Sequence, residues 1–503
     1  AGELPYGLFC VSASDRDGLT AGLERLERHL EQQGAAATIA SLARSWQRSA
    51  APEGAAALGV AIIAGRRERL KHWIREARGA VREGAAVRLN GPEGVCFTPA
   101  PLGPGGQVAF VYPGSGNHFL GMGRAIGVRW PEVLQRMDAA TAHLKSQMLP
   151  DAILPRRSAW GPGWEKAALA KLAADPLQPI FGQVVHGGLM TALVRQFMPA
   201  PEAAIGYSLG ESAALFALGA WPDRGQMLAR MSATDLFSTQ LAGPCRAARK
   251  AWGIPADQPF TWTVAVVDRA AETVRPAIAR HRHTRLLIVN TPEECVIGGD
   301  RPALQAVIAE LGCNAFFLDG VVTVHCDAAQ PVRQAYRELH LFPTTAPAGI
   351  RFYSCAAGRA YELSADGAAD AILAQALHGF DFTATIEQAY ADGLRIFVEM
   401  GPQASCSRMI GRILADRPHL AVSASVRGED EPLTVLKLLG QLWTHRVPLS
   451  LEFLYGSRDA APAPAPPPVF ARTVTISLGG PPPPPPAPPA SAPAPAPASA
   501  PPH

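Results

Sequence analysis

The segment Ile205-Gly206-Tyr207-Ser208-Leu209-Gly210-Glu211 sets a serine between two glycines, where an apolar stretch ends and an Ala/Leu-rich one begins. A strand that passes into a helix through a turn this tight brings neighbouring backbone very close, and glycine is the residue that tolerates the approach. The serine hydroxyl is left exposed at the tip, beside the unpaired N–H groups that open the helix, where an oxyanion can be stabilised. This is the sequence form of a nucleophile elbow.

The chain around it has 503 residues, 48% of them hydrophobic, which suits two or three domains with a large core. A formal net charge of +3 gives no global field for nucleic acid, so an acidic partner would have to meet a local patch. The eight cysteines (Cys10, Cys96, Cys245, Cys295, Cys313, Cys326, Cys355, Cys406) contain no Cys-x-x-Cys pair and read as reduced core thiols of a cytoplasmic protein. There is no signal-peptide pattern and no run of about 18 apolar residues, so neither secretion nor membrane spanning is expected. The chain begins at Ala1, as a piece of something longer would. From about Ala460 the composition shifts to proline and alanine, including the run Pro481 to Pro486, so residues 460–503 read as a semi-rigid tether, with a Pro-x-x-Pro ligand as the alternative.

Hydrophobic periodicity predicts a first region of strand (Leu8 to Ala13), helices (Leu19 to Gln32, Ile39 to Trp46), strand (Leu58 to Ala64) and basic helix (Arg66 to Arg82). The helix's Arg66, Arg67, Arg69, Lys71, Arg75, Arg78 and Arg82 form either a solvated face or a dock for an acidic partner. The apolar strand Val108 to Tyr112 then runs into Pro113-Gly114-Ser115-Gly116-Asn117-His118 and a helix expected from about Phe119, which is how a backbone-lined anion or oxyanion pocket is built. It is not a phosphate loop, because the Gly-Lys-Ser/Thr ending is missing. A helix around Val184 to Phe197, the strand Ala203 to Tyr207 and a helix from Leu209 to about Ala220 complete an alternation that predicts a parallel α/β sheet, with the elbow at the carboxyl end of a strand. Between Phe260 and Asp319 the rhythm changes to strand Thr263 to Val267, helix Ala270 to Arg280, hairpin strands Leu286 to Val289 and Cys295 to Gly298, helix Pro302 to Leu311 and strand Ala315 to Leu318. That order, βαββαβ, predicts a ferredoxin-like subdomain walling one side of the cleft. The fold class is therefore α/β, a hydrolase-like parallel-sheet core with an inserted ferredoxin-like subdomain, preceded by a small α/β domain.

A serine nucleophile needs a base. Val321-Val322-Thr323-Val324-His325 sets a histidine at the end of an expected β-branched strand, where the chain returns from the insert and a side chain can be aimed at the elbow. His281, His283, His340 and His378 have helical or loop settings and read as structural.

The succession Phe110-Val111-Tyr112-Pro113-Gly114-Ser115-Gly116, Gly206-Tyr207-Ser208-Leu209-Gly210-Glu211, Asn290-Thr291-Pro292, His325 and Phe397-Val398-Glu399-Met400-Gly401-Pro402 resembles the acyltransferase domains of polyketide and fatty acid synthases. The elbow, Tyr112-Pro113-Gly114 and Leu241-Ala242-Gly243-Pro244-Cys245 near Trp252 are most similar to polyunsaturated fatty acid synthase acyltransferases. The resemblance divides the chain into a ketosynthase-to-acyltransferase linker domain (1–105), an acyltransferase core (106–259 and 320–420), the ferredoxin-like subdomain (260–319), a post-acyltransferase linker (421–459) and the flexible tail (460–503). It implies a ping-pong transfer without bound cofactor or metal. Ser208 takes an acyl group from acyl-CoA with His325 as base, then passes it to the phosphopantetheine thiol of an acyl carrier protein. Backbone N–H groups of Ser115 and Leu209 would form the oxyanion hole, and the Asp392 carbonyl would orient His325. Carrier domains and adjacent ketosynthase-type domains of a megasynthase would be the partners.

Two departures from that pattern bear on substrate. Tyr207 stands where the family usually has histidine, and the arginine that pairs with an extender carboxylate falls on Ser232 or Ala233. An unpaired buried carboxylate is costly, so non-carboxylated acyl groups are expected over malonyl. Arg230 is expected to face elsewhere, and Tyr207, Ser232, Ala233, Val324 and Asn290 are the expected specificity positions. A malonyl-CoA transacylase and a serine thioesterase using water as acceptor are the alternative enzymes, and a docking module with a vestigial serine is the non-enzymatic one.

Overall fold

The computed structural model describes residues 3–49, 56–141, 147–148, 153, 155, 160–318 and 322–455, so the Pro/Ala-rich tail expected at 460–503 lies outside the described residues. The described residues form three sheets.

In the first, β1 (Gly7–Ala13) pairs antiparallel with β2 (Leu58–Ala64), and β3 (Gly94–Phe97) joins the other edge of β2. The apolar runs of β1 and β2 are buried because both faces are covered. A Cβ on Gly22 of the helix Arg16–Gln32 would lie 2.5 Å from Val11, and one on Gly440 of the helix Glu431–Thr444 would lie 3.5 Å from Leu8 on the opposite face. The chain's last described segment thus closes on its first. Trp443 Nε1 donates to the Val11 carbonyl (3.1 Å), and the Tyr455 hydroxyl accepts from Leu8 N–H (2.9 Å). The basic helix, Arg67–Glu83, uses much of its charge internally. Arg67 donates to the Leu30 and Gly34 carbonyls, Arg69 pairs with Glu93, and Arg78 pairs with Glu24 and Glu27, which leaves less of it for an acidic partner.

The second sheet is the core. It runs β11 (Arg359–Tyr361), β10 (Arg351–Ser354), β5 (Ala203–Gly206), β4 (Gln107–Tyr112), β13 (Leu394–Glu399), β14 (Leu420–Ser423), parallel throughout except for the antiparallel edge β11. Helices on both faces bury β4 and β5, as the continuous apolar strands require. Past the end of β5 the chain turns into the helix Gly210–Ala217. A Cβ on Gly206 would stand 2.1 Å from Glu211 N, and one on Gly210 would stand 1.9 Å from the Tyr112 carbonyl oxygen. Both glycines are therefore steric necessities of this turn.

The third sheet is the insert, whose strands β6 (Trp262–Val267), β7 (Thr284–Thr291), β8 (Glu294–Asp300) and β9 (Ala315–Leu318) lie in the antiparallel order β7-β8-β6-β9 of a ferredoxin-like unit. A fifth strand, β12 (Phe380–Asp381), comes from the core and pairs parallel with β7.

Two expected elements differ. The helix expected from Phe119 begins at Arg124, because Gly121 and Gly123 adopt φ of 89° and 78° and turn the chain before a helix can start. The strand expected up to Val324 is not formed over Val322–Val324. Thr323 N–H goes to Leu241 O (2.7 Å), Val324 N–H to Val322 O (3.0 Å) and His325 N–H to Ala376 O (2.7 Å), so the segment is bound to separate partners instead of one neighbouring strand.

Candidate active site

Ser208 follows β5 with φ of 54°, a left-handed conformation that points its side chain out of the turn. Its Oγ lies 2.8 Å from His325 Nε2. His325 also has a left-handed backbone, φ 69°, and is buried at 7% exposure. Its Nδ1 is 2.9 Å from the Gln375 carbonyl, which can only accept. The ring proton of the neutral imidazole therefore sits on Nδ1, leaving the Nε2 lone pair to accept from the serine hydroxyl. Burial pushes the imidazole down to about 4, only partly opposed by the Gln375 bond, so the ring is neutral at pH 7.

The orienting carbonyl is thus Gln375, not Asp392. Asp392 precedes β13, where its carboxylate accepts from Tyr353 OH and Gln388, at the amino end of the sheet, whereas Ser208 follows the carboxyl end of β5. Gln375 acts twice, because its side-chain amide also donates to the Ser208 carbonyl (3.2 Å). It lies on the helix Ala365–His378, whose last residues present Gln375 and Ala376 carbonyls to the histidine. The following Gly379 allows the contact, since a Cβ there would lie 2.1 Å from Leu287 O and 2.9 Å from His325 O. Thr323 is held on the other side, its N–H by Leu241 O and its hydroxyl by Cys245 Sγ (3.4 Å), so the Leu241–Cys245 segment buttresses the histidine turn.

The glycine loop after β4 is shaped by a buried glutamine. Gln183 Nε2 donates to Pro113 O (3.1 Å) and Gly114 O, its Oε1 accepts from Asn117 N–H (3.2 Å), and Asn117 Nδ2 returns to Gly114 O (2.9 Å). The Met400 N–H bond to Val111 O (2.7 Å) and the packing of Gly401 against Pro113 support the loop from β13. Neither Ser115 N–H nor Leu209 N–H is engaged by another described residue. Gln183 and Gln375 are absent from the sequence-derived set, although each is an amide flanked by apolar helical residues, a pattern that signals a buried polar anchor.

Of the expected specificity positions, Asn290 and Val324 are buried, and the Tyr207 hydroxyl donates to Asn290 Oδ1 (2.7 Å). Ser232 and Ala233 are exposed at the end of the helix Arg224–Ser232 and form no bond to Ser208 or His325. Arg230 turns to the Leu341 carbonyl (2.9 Å) and over the Phe342 ring (4.0 Å). Glu211, three residues from the serine, is buried. Its Oε1 accepts from Cys355 N–H (2.8 Å), its Oε2 has no partner among the described residues, and desolvation pushes the carboxyl up to about 8. Among the described residues there is no group of three His, Cys, Asp or Glu that could hold a metal, and no helix long and apolar enough to cross a membrane.

This fold is that of the acyltransferase domains of polyketide synthases. It matches the acyltransferase domain of ZmaA with a TM-score of 0.70 at 17% identity, covering 92% of this chain and 100% of that one. It matches the acyltransferase domain of module 8 of the salinomycin polyketide synthase with a TM-score of 0.67 at 20% identity, covering 89% and 97%. In sequence the chain is similar to a polyunsaturated fatty acid synthase polypeptide of Thraustochytrium sp., 26% identical over 381 residues, which are 71% of this chain and 18% of that protein. The chain thus spans less than a fifth of that relative's length. No protein-family model matches it.

Proposed function

We propose that the chain transfers an acyl group from acyl-CoA, through an ester on Ser208, to the phosphopantetheine thiol of an acyl carrier protein within a megasynthase. The observation that carries this reading is the 2.8 Å Ser208 Oγ to His325 Nε2 bond with Nδ1 locked on a carbonyl. As Oγ attacks the thioester carbon, its proton passes to Nε2, and the tetrahedral oxyanion is met by Leu209 N–H and Ser115 N–H. Collapse expels the CoA thiolate, which takes the proton from Nε2. The second half-reaction runs the same steps in reverse, with the carrier thiol as nucleophile. A carbonyl in the orienting place gives the imidazolium less support than a carboxylate would, which suits an activated thioester substrate.

The preferred cargo is a non-carboxylated acyl group. Ser232 and Ala233 supply no guanidinium, and Arg230 is committed to Leu341 and Phe342. A carboxylate buried without its partner costs about 3–5 kcal/mol, a discrimination of two or more orders of magnitude. Intact-protein mass spectrometry after incubation with a panel of acyl-CoAs tests this. Acetyl or longer acyl groups should load wild type and not Ser208→Ala, and should move to an added holo carrier protein faster than to water. Faster loading by malonyl-CoA overturns the cargo, and hydrolysis without a carrier turns the reading into a thioesterase.

A further inference from the structure

Tyr207, the residue before the nucleophile, takes no part in the chemistry above, yet it touches three separately supported parts of the site. Its ring packs against the oxyanion loop so closely that a Cβ on Gly114 would lie 2.6 Å from Cδ1. The ring also meets Phe380 edge-on, with centroids 5.0 Å apart, and Phe380 in turn meets the His325 ring edge-on at 5.3 Å. Phe380 is the first residue of β12, the strand that the core lends to the insert's sheet. From the hydroxyl a directional chain runs through the insert and back to the core. Tyr207 OH donates to Asn290 Oδ1 (2.7 Å), Asn290 Nδ2 donates to Glu294 Oε1 (2.9 Å), and Glu294 Oε2 pairs with Arg412 (2.9 Å) on the core helix Ser405–Leu414. The sense of the chain is fixed from its far end. The Glu294 carboxylate, paired with Arg412, can only accept, so Asn290 must present its amide N–H there and its carbonyl to Tyr207, and the phenol must be the donor. Burial keeps the phenol protonated, raising it well above its ordinary range.

We infer that Tyr207 is a positioning residue: it couples the seating of the inserted subdomain to the orientation of His325 and to the shape of the oxyanion loop. This rests on the Ser208–His325 reading and is independent of which acyl group is carried. Movement of the insert pulls on Asn290, Asn290 holds the phenol, and the phenol's ring sets Phe380 against the imidazole. A phenylalanine keeps the ring contacts and loses the tie.

The test uses a small fluorophosphonate, which reports the reactivity of Ser208 without a CoA or a carrier, beside acyl-CoA loading. Tyr207→Phe should lower the second-order rate of phosphonylation about tenfold, the worth of one hydrogen bond, and should lower kcat for acyl loading with KM within about twofold of wild type. The double variant Tyr207→Phe with Asn290→Leu removes the orphaned carbonyl, leaves Glu294 held by Arg412 alone, and should recover part of the lost melting temperature while leaving the rate low. A merely structural role predicts that rate and stability recover together, and that result overturns the inference, as does a wild-type rate in Tyr207→Phe. If wild type is phosphonylated on Ser208 and loads no acyl-CoA, the proposed function fails while the positioning role is still decided by the phosphonylation rates. An inert Ser208 in wild type overturns both.

Discussion

Ser208 and His325 share a left-handed backbone, with φ of 54° and 69°, yet their turns are held in unlike ways. The serine turn is closed by its own neighbours. Gly206 and Gly210 admit Glu211 and Tyr112 at distances no side chain would allow, all but Tyr112 within six residues of chain. The histidine turn is closed by distant carbonyls. Leu241, Gln375 and Ala376 accept its donors, and Gly379 lets Leu287 approach from the insert. One half of the site is thus fixed chiefly by close backbone approach within its own turn and to the neighbouring strand β4, and the other by the way three remote segments pack. The first should tolerate remote change and fail abruptly on local change, while the second should register substitutions far along the chain.

The largest effect comes from removing either member. Ser208→Ala and His325→Ala should each lower acyl loading by about 10⁴-fold or more, measured by quenched-flow mass spectrometry, because two groups that act together lose nearly everything when one goes. A His325→Ala variant that loads within tenfold of wild type would sever the pair. Next come the glycines. Gly210→Ala and Gly379→Ala each press a Cβ to about 2 Å from a carbonyl oxygen, Tyr112 and Leu287 respectively. Each should cost about 3 kcal/mol or more in urea unfolding. A Gly379→Ala protein as stable as wild type would remove the long-range account of the histidine turn.

The two turns should also part company with pH. In the proposed transfer His325 is neutral when it accepts the proton, and burial lowers it to about 4, so loading should be flat from pH 7 to about 5 and fall about tenfold per unit below 4. His186, His340 and His445 are likewise pushed down to about 4 by burial. Their neutral forms support the fold fully above the ordinary 6.5, and that support is lost as pH falls from 6.5 through 4, seen as a falling melting temperature. The serine turn has the opposite sensitivity. Glu211 is protonated in the fold up to about 8, so its contribution is present below the ordinary 4.5 and lost as pH rises through 8. The smallest expected effect is that Glu211→Gln flattens this, reducing the drop in melting temperature between pH 6 and 9 by about 2 °C.

How legible each turn was follows from the same difference. Ser208 could be read because steric necessity writes itself into adjacent letters, and the periodicities of β4, β5 and the insert's strands pointed to a parallel α/β sheet and to the βαββαβ succession, though not to the order of strands within the core sheet. His325 was legible as a residue, but its surroundings were not. The run Val321 to Val324 is β-branched and strand-like by local preference, whereas the N–H groups of Thr323, Val324 and His325 go one at a time to Leu241, Val322 and Ala376. The resemblance puts the orienting group at Asp392, but a backbone carbonyl can come from any residue and leaves no mark on the sequence. Gln375 supplies it from a helix end, and only the side chain of that glutamine, a lone amide among alanines and leucines, hinted at a buried role. The Tyr207–Asn290 bond spans 83 residues, and nothing in either neighbourhood points to the other.

The two-residue strand β12 sets an order in which this protein must be completed. The insert's four strands leave β7 as an open edge until Phe380 and Asp381 arrive, more than 60 residues after β9 has left the ribosome. A nascent or excised insert therefore carries an unpaired, mostly buried-type edge of the sort that invites strand exchange between chains. Severing the chain after the insert should yield an aggregation-prone fragment, while adding residues through 381 in trans should cap it.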